Sequence, residues 1–399
     1  MIDLSSVPVS RQLTLRTVMH AAMDGAISRA ALARVTGLSK QTMSEVFRTL
    51  EDDGWLEVTG HARGGVGRNA TLYAVRPRRL LVFGADIGGS SVKAALGDMN
   101  GTIVAEREEP TDPRGGDHLL AQIAALADHL AEMAGTARER IALGSVGIPG
   151  AYDPRTQRLA MVPNIKDLEG LALDARLSEL AGFEIRVDND VNMAAKGEQW
   201  RGEGRAVHSF VFIAIGIGIG MGIVNDDRIV RGARGAAGEI ATLPIGADPF
   251  DARTFKSGAL ETAVGSAGIS ALYESLSGRA DVSVREIMDL TGAGDAAAIE
   301  TIDRVGRCLA TAILAVCAVA DPERVVLGGN VGARPELLAR VKHHLPLCMP
   351  EPPECAISTL GPRAALIGAI ATGRERLRET LFAVPLDGTG RASQRGGAR

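Results

Sequence analysis

The sequence predicts an α/β protein in two parts, a small winged helix-turn-helix over residues 1–77 and a larger two-lobed body over 78–382. Three observations predict it. Two short helical segments separated by Thr36-Gly37 are followed by two strand-like runs around a basic, glycine-rich loop. Beyond residue 80, strand–glycine–strand turns occur twice, each followed by helical segments, which implies two α/β lobes around a cleft. Charge divides the same way. Residues 1–79 hold eleven Arg and Lys against seven Asp and Glu, a net of +4, so with −4 overall the rest carries −8. A basic head on an acidic body points to a polyanion met by the head alone.

At 399 residues the chain is too long for one ordinary core. Apolar residues at 46% and charged residues at 23% are the proportions of a soluble globular protein. The four cysteines, Cys308, Cys317, Cys348 and Cys355, are widely spaced and include no C-x-x-C. Buried, reduced thiols are expected of them rather than a disulfide framework or a zinc site. The first thirty residues carry no apolar signal core, and the longest apolar run, 309–320, is too short to span a bilayer. A cytoplasmic protein with no membrane partner is expected.

In the head, residues 11–24 place Leu15, Val18, Met19 and Ala22 on one helical stripe. A second helix over 29–35 ends at Thr36-Gly37, where glycine supplies the left-handed turn. Ser39 then caps a third helix reaching about Asp53. Its Met43, Val46, Phe47 and Leu50 follow the i, i+3, i+4, i+7 pattern and face inward. Polar and basic side chains are left outside, which is what reading a DNA major groove requires of such a helix. Ser39, Lys40, Gln41, Thr42, Ser44 and Arg48 are therefore the candidate DNA contacts. After Trp55, LEVTGHARGGVGRNATLYAV reads as two strands and a wing, with Arg63 and Arg68 placed for phosphate or minor-groove contact. A three-helix interaction module with a solvated basic face fits the same pattern. One head covers one half-site of double-stranded DNA, so a homodimer or tetramer on a roughly palindromic operator is expected.

The body opens with LLVFGADIGGSSVKAALGDMNGTIVAEREE, three antiparallel strands turning at Gly88-Gly89-Ser90 and at Asn100-Gly101. A glycine pair after a buried strand brings backbone N–H groups close to a phosphate, with Asp86 and Ser90 beside it. A tight structural hairpin explains the same residues. Further on, a strand ends at Asp188-Asn189-Asp190 before a helix. A carboxylate there is placed to take a proton from a sugar hydroxyl; alternatively, Asn189 and Asp190 cap the helix and bind a polyol without chemistry. Gly216, Gly218 and Gly220 form the second glycine turn. Glu239 lies in a glycine-flanked loop, Glu261 at a helix start, and RVVLGGNVG reads as a buried strand entering a glycine loop.

The order DIGGS, VPN, DND, GIGIGMGIV, GAAGEI, GALE and LGGNVG resembles the ROK family of bacterial sugar kinases and sugar-responsive repressors, over residues 80 to 375. The head is similar to that of the repressor branch. The resemblance implies an actin-like, ribonuclease-H-like body, divided at about residue 194, whose C-terminal helix returns to the first lobe and is followed by a disordered tail over 383–399. It also implies that Asn164, Asn189, Asp190, Glu239, Thr242 and Glu261 surround a sugar-like effector. Asp86, Gly88, Gly89 and Ser90 would form one phosphate turn, and Gly216, Gly218 and Gly220 the other, both vestigial. In a kinase Asp190 would be the catalytic base.

Departures from the family pattern weigh against catalysis. Ile217 replaces the hydroxyl residue of G-T-G, Ala241 and Thr242 replace the Gly-His of G-E-I-G-H, and the three-cysteine cluster is absent from ADPFDARTFKSGALE. No tetrahedral zinc site is expected, and packing is expected to hold that loop instead. The expected function is a transcription regulator of carbohydrate genes, probing DNA with its head and a sugar with its body, without zinc or ATP. An ATP- and magnesium-dependent sugar kinase and a ligand-independent repressor are the alternatives.

Overall fold

A computed structural model describes residues 9–62, 70–160 and 165–381. Arg63, Arg68, Asn164 and the segment 383–399 lie outside the described residues. The chain forms two compact units. One comprises Met1–Leu80 with Asp98–Asn100 and Arg374–Arg399, the other Leu81–Gly97 with Gly101–Gly373.

The first unit contains α1 (Val9–Met23), β1 (Ile27–Ser28), α2 (Arg29–Thr36), α3 (Lys40–Asp52), β2 (Leu56–Ala62) and β3 (Ala70–Val75). Its strands are ordered β1-β3-β2, with Ile27 opposite Tyr73 and Leu56 opposite Val75. Two-residue β1 is too short to show a period-2 pattern, and the sequence reading missed it. Leu15, Val18 and Met19 of α1 are buried, as are Met43, Val46, Phe47 and Leu50 of α3 and Trp55 behind it. Local chemistry sets the helix ends. Ser28 accepts from the Ala31 N–H and Ser39 from the Thr42 N–H, each at 3.1 Å, and Gly37 adopts φ 69° between the two helices. Arg29 pairs with Glu51 at 2.6 Å and lies over the Phe47 and Tyr73 rings, joining α2, α3 and β3. Arg378, in the C-terminal segment of this unit, pairs with Asp24 at 2.5 and 2.7 Å.

The second unit begins with β4 (Leu81–Ile87), β5 (Ser91–Asp98), β6 (Ile103–Pro110), α4 (Gly116–Met133), β7 (Ile141–Ile148), β8 (Ala151–Asp153), β9 (Arg158–Ala160), α5 (Leu173–Ala181), β10 (Glu184–Asn189) and α6 (Asp190–Arg201). It continues with β11 (Phe210–Ile215), β12 (Ile219–Asn225), β13 (Arg228–Ile229), α7 (Ala259–Val264), α8 (Ser266–Ser277), α9 (Val284–Gly292) and α10 (Ala296–Ala320). Last come β14 (Arg324–Gly328), α11 (Gly329–Gly332), α12 (Pro335–Cys348), β15 (Glu354–Ile357) and α13 (Ala364–Thr380), whose final residues are grouped with the first unit.

Two five-stranded sheets form its frame, ordered β10-β7-β4-β5-β6 and β13-β12-β11-β14-β15. In each, an antiparallel hairpin adjoins parallel strands covered by helices. One core gathers Phe83, Val92, Leu120, Ile123 and Ile185 around the first sheet. Another gathers Ile213, Val325, Leu327, Leu309 and Ile313 around the second, with α10 contributing its apolar face. Among the described residues, no helix is long and apolar enough to cross a membrane.

Candidate ligand site and DNA-contact face

The DNA-contact candidates lie together on α3. Ser39 is spent partly on capping, while Lys40, Gln41 and Arg48 are exposed and Thr42 and Ser44 half-buried. Gln41 Nε2 reaches Glu45 at 3.3 Å. The apolar positions of the helix are used in the core, so the outward face is entirely polar.

In the second unit, β10 delivers Asp188-Asn189 to the start of α6 because parallel pairing with β7 carries it from Glu184 opposite Leu143 to Asn189 opposite Ile148. Asn189 is the N-cap: its Oδ1 accepts from the Val191 and Asn192 N–H groups at 2.9 and 3.0 Å, and its Nδ2 donates to the Gly150 carbonyl at 3.0 Å. The capping that the sequence offered alongside polyol binding therefore already occupies the Asn189 amide. Asp190 follows at the helix start and accepts from the Val191 N–H. Burial pushes its carboxyl up to about 7, and the neighbouring Asp86 and Glu239 carboxylates add to the shift. Burial likewise lifts Asp86 to about 6, opposed by Lys93 and assisted by Glu108. Glu239 is raised by burial and by Glu261, and Glu261 by burial against a hydrogen bond from the Ile219 N–H. Four carboxyl groups from distant parts of the chain thus meet in one region.

Glu239 is placed by the segment from β13 to a short turn at Ile240–Thr242. Gly238 has φ 93°, and a Cβ there would run into the Met221 carbonyl, so only glycine brings this segment onto β12. Thr242 is exposed and its Oγ1 donates back to the Glu239 carbonyl at 3.0 Å.

Both glycine turns are closed by the chain itself. At the first, the Gly88 N–H donates to the Ser91 carbonyl at 2.9 Å, and Ser91 Oγ donates to Glu108 at 2.7 Å. At the second, the Gly216 N–H donates to the Gly218 carbonyl at 2.9 Å, the Ile219 N–H donates to Glu261 at 3.1 Å, and Ile217 points outward, 77% exposed. Gly220 is a correction: it lies inside β12 facing Val191 of α6, since the strand starts at Ile219 and leaves only Gly216–Gly218 for the turn. The glycine loop expected after β14 is also different, being the single helical turn α11.

Residues 82–375 match the model of the ROK family. The chain belongs to the ROK family. A glucokinase of Halalkalibacterium halodurans is 31% identical over 308 residues, covering 71% of this chain and 92% of that protein. The DNA-binding transcriptional dual regulator NagC of Escherichia coli is 26% identical over 318 residues, 77% of each chain. Among solved structures, a ROK hexokinase from Thermus thermophilus has TM-score 0.64 at 28% identity, covering 75% of this chain and 100% of that one. A ROK family transcriptional regulator, described as a homolog of the E. coli MLC protein, has TM-score 0.76 at 22% identity, covering 94% and 98%. Kinases and regulators thus both stand among the relatives.

The family's zinc does not fit this ROK chain. Thr242 stands where the histidine ligand is implied, and the loop 247–258 has neither cysteine nor histidine. Packing does not hold that loop either, since Phe250 and Phe255 are 96% and 88% exposed. Buried Thr254 holds it instead, its Oγ1 donating to the Asp248 and Asp251 carbonyls, both at 2.8 Å. Sequence reading also passed over Arg231, which pairs with Asp188 at 2.7 Å across a separation of 43 residues. Nothing local in RGARGAAGE marks that arginine, because its partner is set by how two sheet edges meet.

Proposed function

We propose that the chain is a DNA-binding transcription regulator, with a winged helix-turn-helix head and a ROK body that senses a sugar or sugar-like effector. The observation that carries the regulator reading is the outward face of α3, where Lys40, Gln41 and Arg48 are exposed on a helix capped by Ser39 and buried along its other side. Asn189, Asp190, Glu239 and Glu261 are the effector contacts, suited to hydroxyl donors. The effector acts by binding more tightly to one of two states of different DNA affinity. Relatives named for xylose and N-acetylglucosamine repression favour carbohydrate genes as the target.

Absence of consequential kinase activity is part of the same proposal. Phosphoryl transfer depends on donors aimed at the phosphates. Here the Gly88, Gly216 and Ile219 N–H groups are already bonded within the chain, and both turns carry a carboxylate that repels an anion, Glu108 at the first and Glu261 at the second. Asp190 favours the second reading, a sugar kinase, because a carboxyl held at about 7 suits a general base. ATP turnover with a panel of hexoses, pentoses and amino sugars separates the two. No turnover, together with a sugar-induced rise in unfolding temperature and a sugar-dependent change in DNA affinity, is expected. Turnover near one per second, on the scale of ordinary enzymes, would establish the kinase instead, and no response to any sugar would leave a ligand-independent repressor.

A further inference from the structure

Asp188 is the penultimate residue of β10, immediately before Asn189 and Asp190, and is buried. One of its oxygens accepts from the Asn189 N–H at 2.8 Å and from Asn192 Nδ2 at 3.1 Å. The other accepts from Arg231 Nε at 2.8 Å and Nη2 at 2.7 Å. β10 is an edge strand of the first five-stranded sheet, and Arg231 follows β13, an edge strand of the second. The pair therefore ties the two sheets together at the point where each delivers a ligand-site carboxylate.

Arg231 also heads the loop that carries Glu239. The loop is closed on itself by the Ala237 N–H donating to the Arg231 carbonyl at 3.1 Å, and Gly235 lies so close to the Tyr152 carbonyl that a Cβ would strike it. A displacement of Arg231 is accordingly passed to Glu239. On the other side, Asp188 fixes the Asn189 N–H and Asn192, and with them the first turn of α6 and Asp190. Asp190 and Glu239 are like-charged neighbours when ionised and push apart. The Arg231 guanidinium, through its pair with Asp188, joins the two segments that carry them.

We propose that Arg231 is a positioning residue whose ion pair with Asp188 holds Asp190 and Glu239 at their ligand-binding separation before any ligand arrives. The inference rests on the reading of those two carboxylates as effector contacts. A tie of this kind lowers the ordering cost of binding. It differs from an exposed salt bridge, which is worth little, because Asp188 is buried and loses its one ionic partner among the described residues when the arginine is replaced by glutamine.

The test uses the full chain with Arg231→Gln and Arg231→Lys. Hydrogen exchange of the ligand-free protein is measured over residues 184–195 and 230–240, with β14 as an internal control for global unfolding. Faster exchange of both segments in the glutamine variant, partly rescued by lysine and without change in β14, is the expected result. A change confined to 230–240 overturns the tie. Calorimetry with D-glucose, D-xylose and N-acetyl-D-glucosamine is then expected to show binding about ten- to a hundredfold weaker in the glutamine variant, the loss of a charge-assisted bond, with lysine intermediate. Equal affinity for the glutamine variant and wild type overturns the positioning role. If wild type binds none of the three sugars, the sugar-sensing reading fails, while the exchange measurement still decides the tie.

Discussion

Replacing Asp190 with asparagine isolates what the ligand site costs the fold. The carboxyl is held at about 7 against an ordinary 3.8. Between those values the folded chain keeps a proton that the unfolded chain has released, so stability falls as pH rises through that window. At about 1.4 kcal/mol per pH unit, ionising this one group costs the folded state up to about 4 kcal/mol at pH 7.5 and only about 1 kcal/mol at pH 4.5. Asparagine keeps an oxygen for the Val191 N–H and carries no charge. Relief of repulsion on Asp86 and Glu239 adds to the gain, and relaxation around the site subtracts from it. Asp190→Asn should therefore stabilise the second unit by roughly 2–4 kcal/mol at pH 7.5 and by much less at pH 4.5. The chain has two tryptophans, Trp55 in the first unit and Trp200 on α6 in the second. In a Trp55→Phe background, urea unfolding followed by fluorescence reports the second unit alone. A gain of the same size at both pH values, or none at pH 7.5, would refute buried ionisation as the cause.

Other perturbations act on separate links. Ser39→Ala removes the cap on α3 and should cost about 1 kcal/mol, read by Trp55 fluorescence during thermal unfolding. Arg48→Ala should weaken binding to the DNA site that the wild-type chain selects from a random pool by about 1–3 kcal/mol, with any sugar response retained; unchanged affinity in a gel-shift titration would remove α3 as the reading helix. Gly368→Ala places a Cβ against the Met193 carbonyl, where α13 and α6 meet backbone to backbone. It should lower the stability of the second unit by about 3 kcal/mol, measured by the same urea titration.

How much of this was legible depended on the range of the interaction concerned. Helices α1 to α3 were readable because their determinants lie within a turn or two: Ser39 three residues before its bonded N–H, Gly37 at the bend, and Met43, Val46, Phe47 and Leu50 at helical spacing. β1 was missed because two residues carry no period, and Gly220 was misplaced because alternating glycines do not reveal where a hairpin turn ends and its strand begins.

The sequence by itself determined the ROK motifs in order, the polar face of α3 and the absence of cysteine and histidine from the 247–258 loop. These follow from residue identity and short spacing. Only the tertiary structure decided that Glu108 and Glu261 close the glycine turns, that Thr254 replaces packing in the loop, and that Arg231 reaches Asp188. Of these, the Arg231–Asp188 pair joins segments that meet only after two sheets have formed, whereas Ser91–Glu108 lies within one hairpin and Ile219–Glu261 between one sheet and α7. A carboxylate's partner and its proton affinity are then set by burial and by neighbours that no local pattern records.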